Sequence, residues 1–400
     1  MSKVHIVAAK RTPIGSFLGS LSGINPTDLG ATVIKNILEE TKLDKSKIDE
    51  VIVGHVLPAG QGQGTGRQVS IKAGLPEEIC GYGINMVCGS GLKSVMNGFA
   101  SIKAGLSNVI IAGGIENMSQ APFLTPKTTR NGYKMGDMTL KDHMVFDALT
   151  DAYEGTHMGV TAENIAEKHG ITRDEQDKFA LNSQLKAIKA VDDGRFNDEI
   201  VPVEIKIKKE TVLFAKDEYP NRGTNLEKLG KLATVFKKDG TVTAGNASGI
   251  NDGASMVMLA SEEILEKEGL VSLGEVVGVG QGGVSPKVMG LGPVEAIKNA
   301  LKNANLKLED IELFELNEAF AAQALGVVKE LSEEHGVSTE WIMERTNVNG
   351  GAIALGHPVG ASGNRILVTL IHEMKKRDLK YGLASLCIGG GMGTAVILKR

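Results

Sequence analysis

The chain has little cysteine: only Cys80, Cys88 and Cys387 in 400 residues. So few, so scattered, they cannot form a disulfide framework, and an odd count leaves at least one thiol free, which points to a reducing cytoplasmic setting. There is no CxxC pair, and His372-Glu373 is followed by Lys376 where a metalloprotease helix would carry its second histidine. Zinc chemistry of those kinds is excluded, and no metal or resident cofactor is expected. No run approaches about 18 apolar residues, so no membrane span is expected. The N-terminal MSKVHIVAAKRT lacks the pattern of a signal peptide. Neither sign of charge dominates: 44 Lys+Arg face 48 Asp+Glu, and no long basic stretch is present to track a nucleic-acid backbone. Phosphate loops of the GxxxxGK[ST] and GxGxxG types are missing too, since GQGQGTG at 60–66 has the wrong spacing.

Glycine, by contrast, is plentiful at 50 residues, and it gathers after apolar runs such as Val109–Ala112 and Leu383–Ile388. Those runs predict strands that end in tight turns. Leu92, Val95, Met96 and Phe99 between them line one face of a helix. Alternating strands and helices predict an α/β fold with a buried, parallel-rich sheet. The chain also echoes itself. TKLDKSKIDEVIV at 41–53 is matched by ANLKLEDIELFEL at 304–316, and the helix and strand after Ser90-Gly91 are matched after Ser362-Gly363. The later copy carries extra residues, expected within Ser332–Arg345 and as a surface elaboration. Residues 119–249 fit neither copy and read as a long insertion of the kind that binds substrate. The expected division is 1–118 plus about 250–270 as a first half, 119–249 as an inserted loop domain, and 271–400 as a second half.

Four stretches carry chemistry. In NMVCGSGLKSV at 85–95, Cys88 stands just before a helix start, where free backbone N–H groups and the helix dipole can lower a thiol pKa. On its own terms Cys88 is either such a nucleophile or a small buried hydrophobe. In NVNGGAIALGHPVGASG at 347–363, the His-Pro turn aims His357 rigidly, either as a base for a thiol or as a partner for loop backbone. LCIGGGMG at 386–393 sets Cys387 at a strand end before glycines whose N–H groups could stabilise an anion; a core role is the alternative. In ELNEAFAAQ, Asn317 and Glu318 lie between a strand and a helix, where Asn317 could simply cap the helix.

Together with GGIENMS, GTHMGVTAENIA and GTVTAGNASGINDGA, these stretches resemble the blocks of the thiolases, in family order and over the whole chain, and specifically the biosynthetic acetyl-CoA acetyltransferases. The resemblance implies two βαβαβαββ halves in a five-layered αβαβα core with an inserted loop domain. It implies that Cys88 takes the acyl group, His357 activates it and Cys387 moves the α-carbon proton. One oxyanion hole would come from His357 and a water on Asn317, the other from the N–H groups of Cys88 and Gly389. Acetyl-CoA, acetoacetyl-CoA and CoA would be the partners, held by Leu149, His157, Met158, Ala244, Ser248, Met289, Ala319 and Phe320. At the adenine the family's arginine is displaced: Asn221 stands there, with Arg222 next as the substitute. A homotetramer is implied as well. The readings set against this one are a degradative 3-ketoacyl-CoA thiolase with a longer pocket and a thiolase-like binding protein without catalysis.

Overall fold

The computed structural model describes residues 3–400. The chain begins with β1 (Val4–Arg11), α1 (Pro26–Thr41), β2 (Glu50–Gly54), α2 (Thr65–Lys72), β3 (Cys80–Ile84), α3 (Ser90–Lys103) and β4 (Val109–Asn117). The stretch that follows supplies α4 (Met158–His169), α5 (Arg173–Asp192) and a separate hairpin of β5 (Val203–Ile207) and β6 (Glu210–Phe214). Then come β7 (Asn251–Ser261), β8 (Gly274–Gly283), α6 (Gly292–Ala304), β9 (Leu313–Leu316), α7 (Ala321–His335), α8 (Thr339–Arg345), α9 (Val359–Arg377), β10 (Tyr381–Ile388) and β11 (Met392–Lys399). Local chemistry sets the ends. Asn25 accepts the Thr27 N–H ahead of Pro26 to start α1, and a Thr172/Glu175 capping box starts α5.

The duplication read from sequence is visible in the strand order. The first half runs β1-β7-β4-β2-β3 and the second β8-β11-β10-β9. In each half the last strand lies antiparallel between the first strand and an inner parallel pair. The counterpart of β3 has shrunk to one parallel bridge, Phe314 to Thr346. The halves join where β1 meets β8, at His5–Glu275 and Ile6–Gly274. Helices α1 and α2 cover one outer face, α6 and α7 the other, and α3 with α9 fill the space between the sheets. That is an αβαβα stack, with an apolar core on each side of each sheet.

Two sequence expectations need correction. Gly113 and Gly114 do not end their strand; they lie inside β4, which runs on to Asn117. The reason is space: a Cβ on Gly114 would sit 2.0 Å from the Gly360 carbonyl oxygen. The extra residues within 332–345 are not a mere surface elaboration. They form α8, which buries Ile342 and sets Trp341 edge-on against Phe314.

The central layer decides where the site falls. Helices α3 and α9 meet backbone to backbone at their N-terminal ends, because a Cβ on Gly91 would come within 2.8 Å of the Gly360 carbonyl and 3.0 Å of the Asn364 nitrogen. Each helix start carries one of the chemistry-bearing turns, so this contact draws them together. Gly91→Ala should lower stability by about 1–3 kcal/mol through overpacking. Denaturant unfolding measures that loss, and a variant as stable as the parent would show that the close approach is not a constraint.

Candidate active site

Cys88 follows β3 through a turn that hydrogen bonds hold in an unusual shape. Val87 has φ +46°, a left-handed conformation that a β-branched residue rarely adopts. Asn85 Oδ1 accepts the Val87 N–H at 2.9 Å, the Ser90 hydroxyl donates to the Val87 carbonyl at 2.7 Å, and Ser90 Oγ accepts the Met86 N–H at 2.9 Å. Strain held this way marks functional turns. The backbone N–H groups of Gly389 and of Cys88 itself both point at the Cys88 sulfur. Their pull toward thiolate is outweighed by burial, which pushes the thiol up to about 11. The lowering expected from the helix start is therefore reversed: in the free protein Cys88 is a neutral thiol.

His357 sits in the turn before α9, fixed from three sides. Its N–H donates to Asn251 Oδ1 at 2.9 Å, and three residues on the Gly360 N–H donates to the buried Glu116 at 2.9 Å. The ring Nδ1 lies 2.6 Å from Ser362 Oγ. That hydroxyl already donates to the Pro358 carbonyl at 2.9 Å, so it must accept from the ring. The proton is thus on Nδ1, and Nε2 is left as a free base. Burial lowers the His357 pKa to about 4, with Arg365 adding to the effect, so the imidazole is neutral at physiological pH.

Cys387 comes from the end of β10, buried, its thiol pushed up by burial and by the neighbouring Cys88. Gly389 follows at the start of the turn into β11, where Gly390 and Gly391 both have positive φ. Asn317 ends β9 without capping α7, whose N-cap is Phe320. It is buried, it is not among the residues that line the cavity shared by Cys88 and His357, and neither side-chain amide atom has a hydrogen-bond partner among the described residues. Its neighbour Glu318, also buried, accepts from Ser183 Oγ at 2.6 Å and Asn347 Nδ2 at 2.8 Å.

One cavity of about 470 Å³ gathers Cys88, His357, Cys387 and Gly389, at the loop ends of the parallel strands where α/β proteins bind ligands. Leu149, His157, Met158, Ala244, Ser248, Met289, Ala319 and Phe320 line it as well. Arg222 does not: it is exposed and its guanidinium is tied to Asp192 at 2.5 and 2.9 Å. The adjoining polar pocket, which shares Tyr219 and Ala244 with the cavity, is lined by Lys228 instead. Sequence reasoning missed Phe236, stacked on His157 at 4.5 Å between ring centroids, and Tyr219, packed on Gly249. Their rarity was the available signal, since aromatics are 4% of the chain. It also missed Glu116, Asn251 and Ser362, which stand inside stretches quoted above.

A duplicated five-layered α/β stack with two thiols and an imidazole converging on an apolar cavity defines a cysteine-centred acyl-transfer architecture. Comparison with known proteins makes the family specific. The N-terminal thiolase domain matches residues 4–263 and the C-terminal thiolase domain residues 254–400. The acetyl-CoA acetyltransferase of Pseudomonas aeruginosa is 53% identical over 401 residues, the whole of both chains. The acetyl-CoA acetyltransferase structure from Syntrophomonas wolfei superposes with a TM-score of 0.97 at 44% identity over 100% of each chain. Human mitochondrial 3-ketoacyl-CoA thiolase in complex with CoA gives 0.93 at 45% identity, over 100% of this chain and 98% of that one. The chain belongs to the thiolase family.

The neutral state of Cys88 has a direct readout. Alkylation by iodoacetamide should accelerate continuously from pH 7 to pH 10, following the small thiolate fraction of a group at about 11. A plateau below pH 8 would mean that the thiolate is already formed in the free protein.

Proposed function

We propose that this protein is an acetyl-CoA C-acetyltransferase, joining two acetyl-CoA into acetoacetyl-CoA and CoA, reversibly, through an acetyl group on Cys88. One observation carries the reading: two neutral thiols and a neutral imidazole with its Nε2 free share a single apolar-walled cavity. In the first half-reaction Cys88 Sγ attacks the thioester carbonyl and its proton passes to His357 Nε2. The C–S bond to CoA breaks and the leaving sulfur takes the Cys387 proton. In the second, the Cys387 thiolate removes a proton from the methyl carbon of a new acetyl-CoA. Burial favours the protonated form of Cys387, so its thiolate is a strong base for this step. The enolate carbon attacks the acetyl-Cys88 carbonyl, the Cys88–acyl bond breaks, and the Cys88 sulfur recovers its proton from His357. Every proton is returned.

Negative charge develops on two oxygens. The N–H groups of Cys88 and Gly389, already aimed at the sulfur, suit the oxygen of the acetyl-cysteine. His357 with a water on the Asn317 amide suits the enolate oxygen, which gives that unpartnered amide a use. Leu149, His157, Ala244, Ser248, Met289, Ala319 and Phe320 hold the thioester arm of CoA, while Met158, near the backbone of Gly389, limits the acyl chain. The names of the relatives support acetyl-CoA as substrate, and the CoA complex of the human relative supports the ligand class. A cytoplasmic homotetramer is part of the same reading. Support for association is the outer edge of β3, which among the described residues pairs only with β2, and the exposed Phe123, Met135, Leu140 and Phe146 between β4 and α4.

Acetoacetyl-CoA plus CoA should give two acetyl-CoA, with turnover falling as the ketoacyl chain lengthens; equal rates across a chain-length series would favour the degradative assignment. Cys88→Ala should abolish acyl transfer. Cys387→Ala should still take label from acetyl-CoA onto Cys88 but make no acetoacetyl-CoA, and Asn317→Ala should lose about 10²–10³-fold in kcat. Label found on Cys387 of the parent enzyme would reverse the assignment of the two thiols. Sedimentation velocity should show a tetramer, and a monomer at assay concentration would remove that part of the reading.

A further inference from the structure

Away from the reaction cavity, the C-terminal part of α5, residues 348–349 and the end of α9 line a separate, open-mouthed pocket of about 370 Å³. Five cations line it, Lys186, Lys189, Arg195, Lys376 and Arg377; among the described residues the only lining carboxylate is Asp193, paired with Lys189 at 2.6 Å. Two more carboxylates stand next to these cations. Glu373, almost fully buried beneath them, pairs with Arg195 and with Arg377 Nε at 2.5 Å, and Asp198 pairs with Lys376 at 3.2 Å. On the lining itself five cations face one carboxylate, while Glu373 and Asp198 stand beside them and the buried Glu318 and Glu315 act on Lys186 from behind.

The donors are also held in place and only partly used. Glu373 engages Arg195 through Nη2 and Arg377 through Nε, leaving the remaining guanidinium N–H groups of both in reach of the pocket. Guanidinium groups fixed in this way suit tetrahedral oxyanions, which they can grip through two N–H donors at once. Lys186 has a carbonyl partner, Thr346 O at 3.1 Å, and among the described residues no carboxylate within ion-pair distance. Burial pulls its pKa down, with Glu318 and Glu315 opposing the effect only in part.

We propose that this pocket binds an oligophosphate anion, either free diphosphate or the polyphosphate tail of a nucleotide, independently of the thioester cavity. The volume exceeds what a single phosphate fills, and the cations reach it from three places in the fold, α5, the turn after it and the end of α9. Its wall is also part of the machinery's support. Asn349, which donates to Glu373 at 2.8 Å, lies on the segment that leads to His357, and Asn347 two residues earlier holds Glu318 beside Asn317. An occupant is therefore placed to stiffen the chain that positions the base.

Isothermal titration of the full-length protein tests this with two probes, inorganic diphosphate and adenosine triphosphate, each with and without saturating CoA. Saturable binding of either probe is expected, unchanged by CoA and weakened as salt rises. Lys189→Glu and Lys376→Gln, both outside the reaction cavity, should each weaken it at least about tenfold while leaving thiolysis intact. Diphosphate binding would point to the free anion, and binding of the nucleotide alone to the nucleotide source. No saturation below about 10 mM, displacement by CoA, or variants that bind like the parent would overturn the proposal. The outcome does not depend on the activity assay, so failure here and failure of the acetyltransferase reading are separable.

Discussion

The site depends on one contact, the backbone-to-backbone approach of α3 and α9 at Gly91 and Gly360. Each helix belongs to a different half of the duplicated fold, and each begins directly after a turn that carries a reactive group. If a side chain separated the two helices, Cys88 and His357 would move apart together with their supports. Glu116 ties the halves again, accepting the N–H groups of Val56 and Leu57 from one half and of Gly360 from the other. The pseudo-twofold thus becomes a chemical device: equivalent positions, the turn ahead of a central helix, hold a thiol in one copy and an imidazole in the other.

Electrostatics makes this a latent site. Burial raises both thiols and lowers the imidazole, so the resting cavity holds three neutral groups. A thiolate–imidazolium pair would carry two charges in a space walled by Met118, Met158, Met289, Phe236 and Phe320, where their desolvation would be costly. Neutrality until a thioester arrives limits side reactions of a bare thiolate, and the N–H groups aimed at the sulfur are available when charge moves to an acyl oxygen. Helix-start chemistry alone would have suggested the opposite resting state. The depth of the site decides between the two effects.

Much of the architecture was legible in the chain, because the duplication preserves spacing and a buried parallel strand is a continuous apolar run. The residues brought into the cavity were legible through their company: a cysteine, a histidine and a second cysteine each next to glycines. What escaped the sequence was long-range. No local pattern says that Gly114 faces the Gly360 carbonyl, that Ser362 orients the ring of His357, or that Arg222 is held away by Asp192 thirty positions earlier. Val87 is the sharpest case, since nothing about valine announces a left-handed backbone; only the hydrogen bonds of Asn85 and Ser90 make that shape affordable. Phe236 and Tyr219 come from the insertion, whose course no repeat could forecast.

The unequal fate of the border strand in each half leaves the two ends of the large sheet unlike. At the second half's border, Asn347 and Thr346 satisfy the outer side of β9, with the Asn347 N–H donating to the Phe314 carbonyl and its side chain bonding both ways with Leu316. At the first half's border β3 has no such cover among the described residues. Within the large sheet, strand addition is therefore open at one border among the described residues. If a second copy offers that same border, the union is isologous and exhausts both.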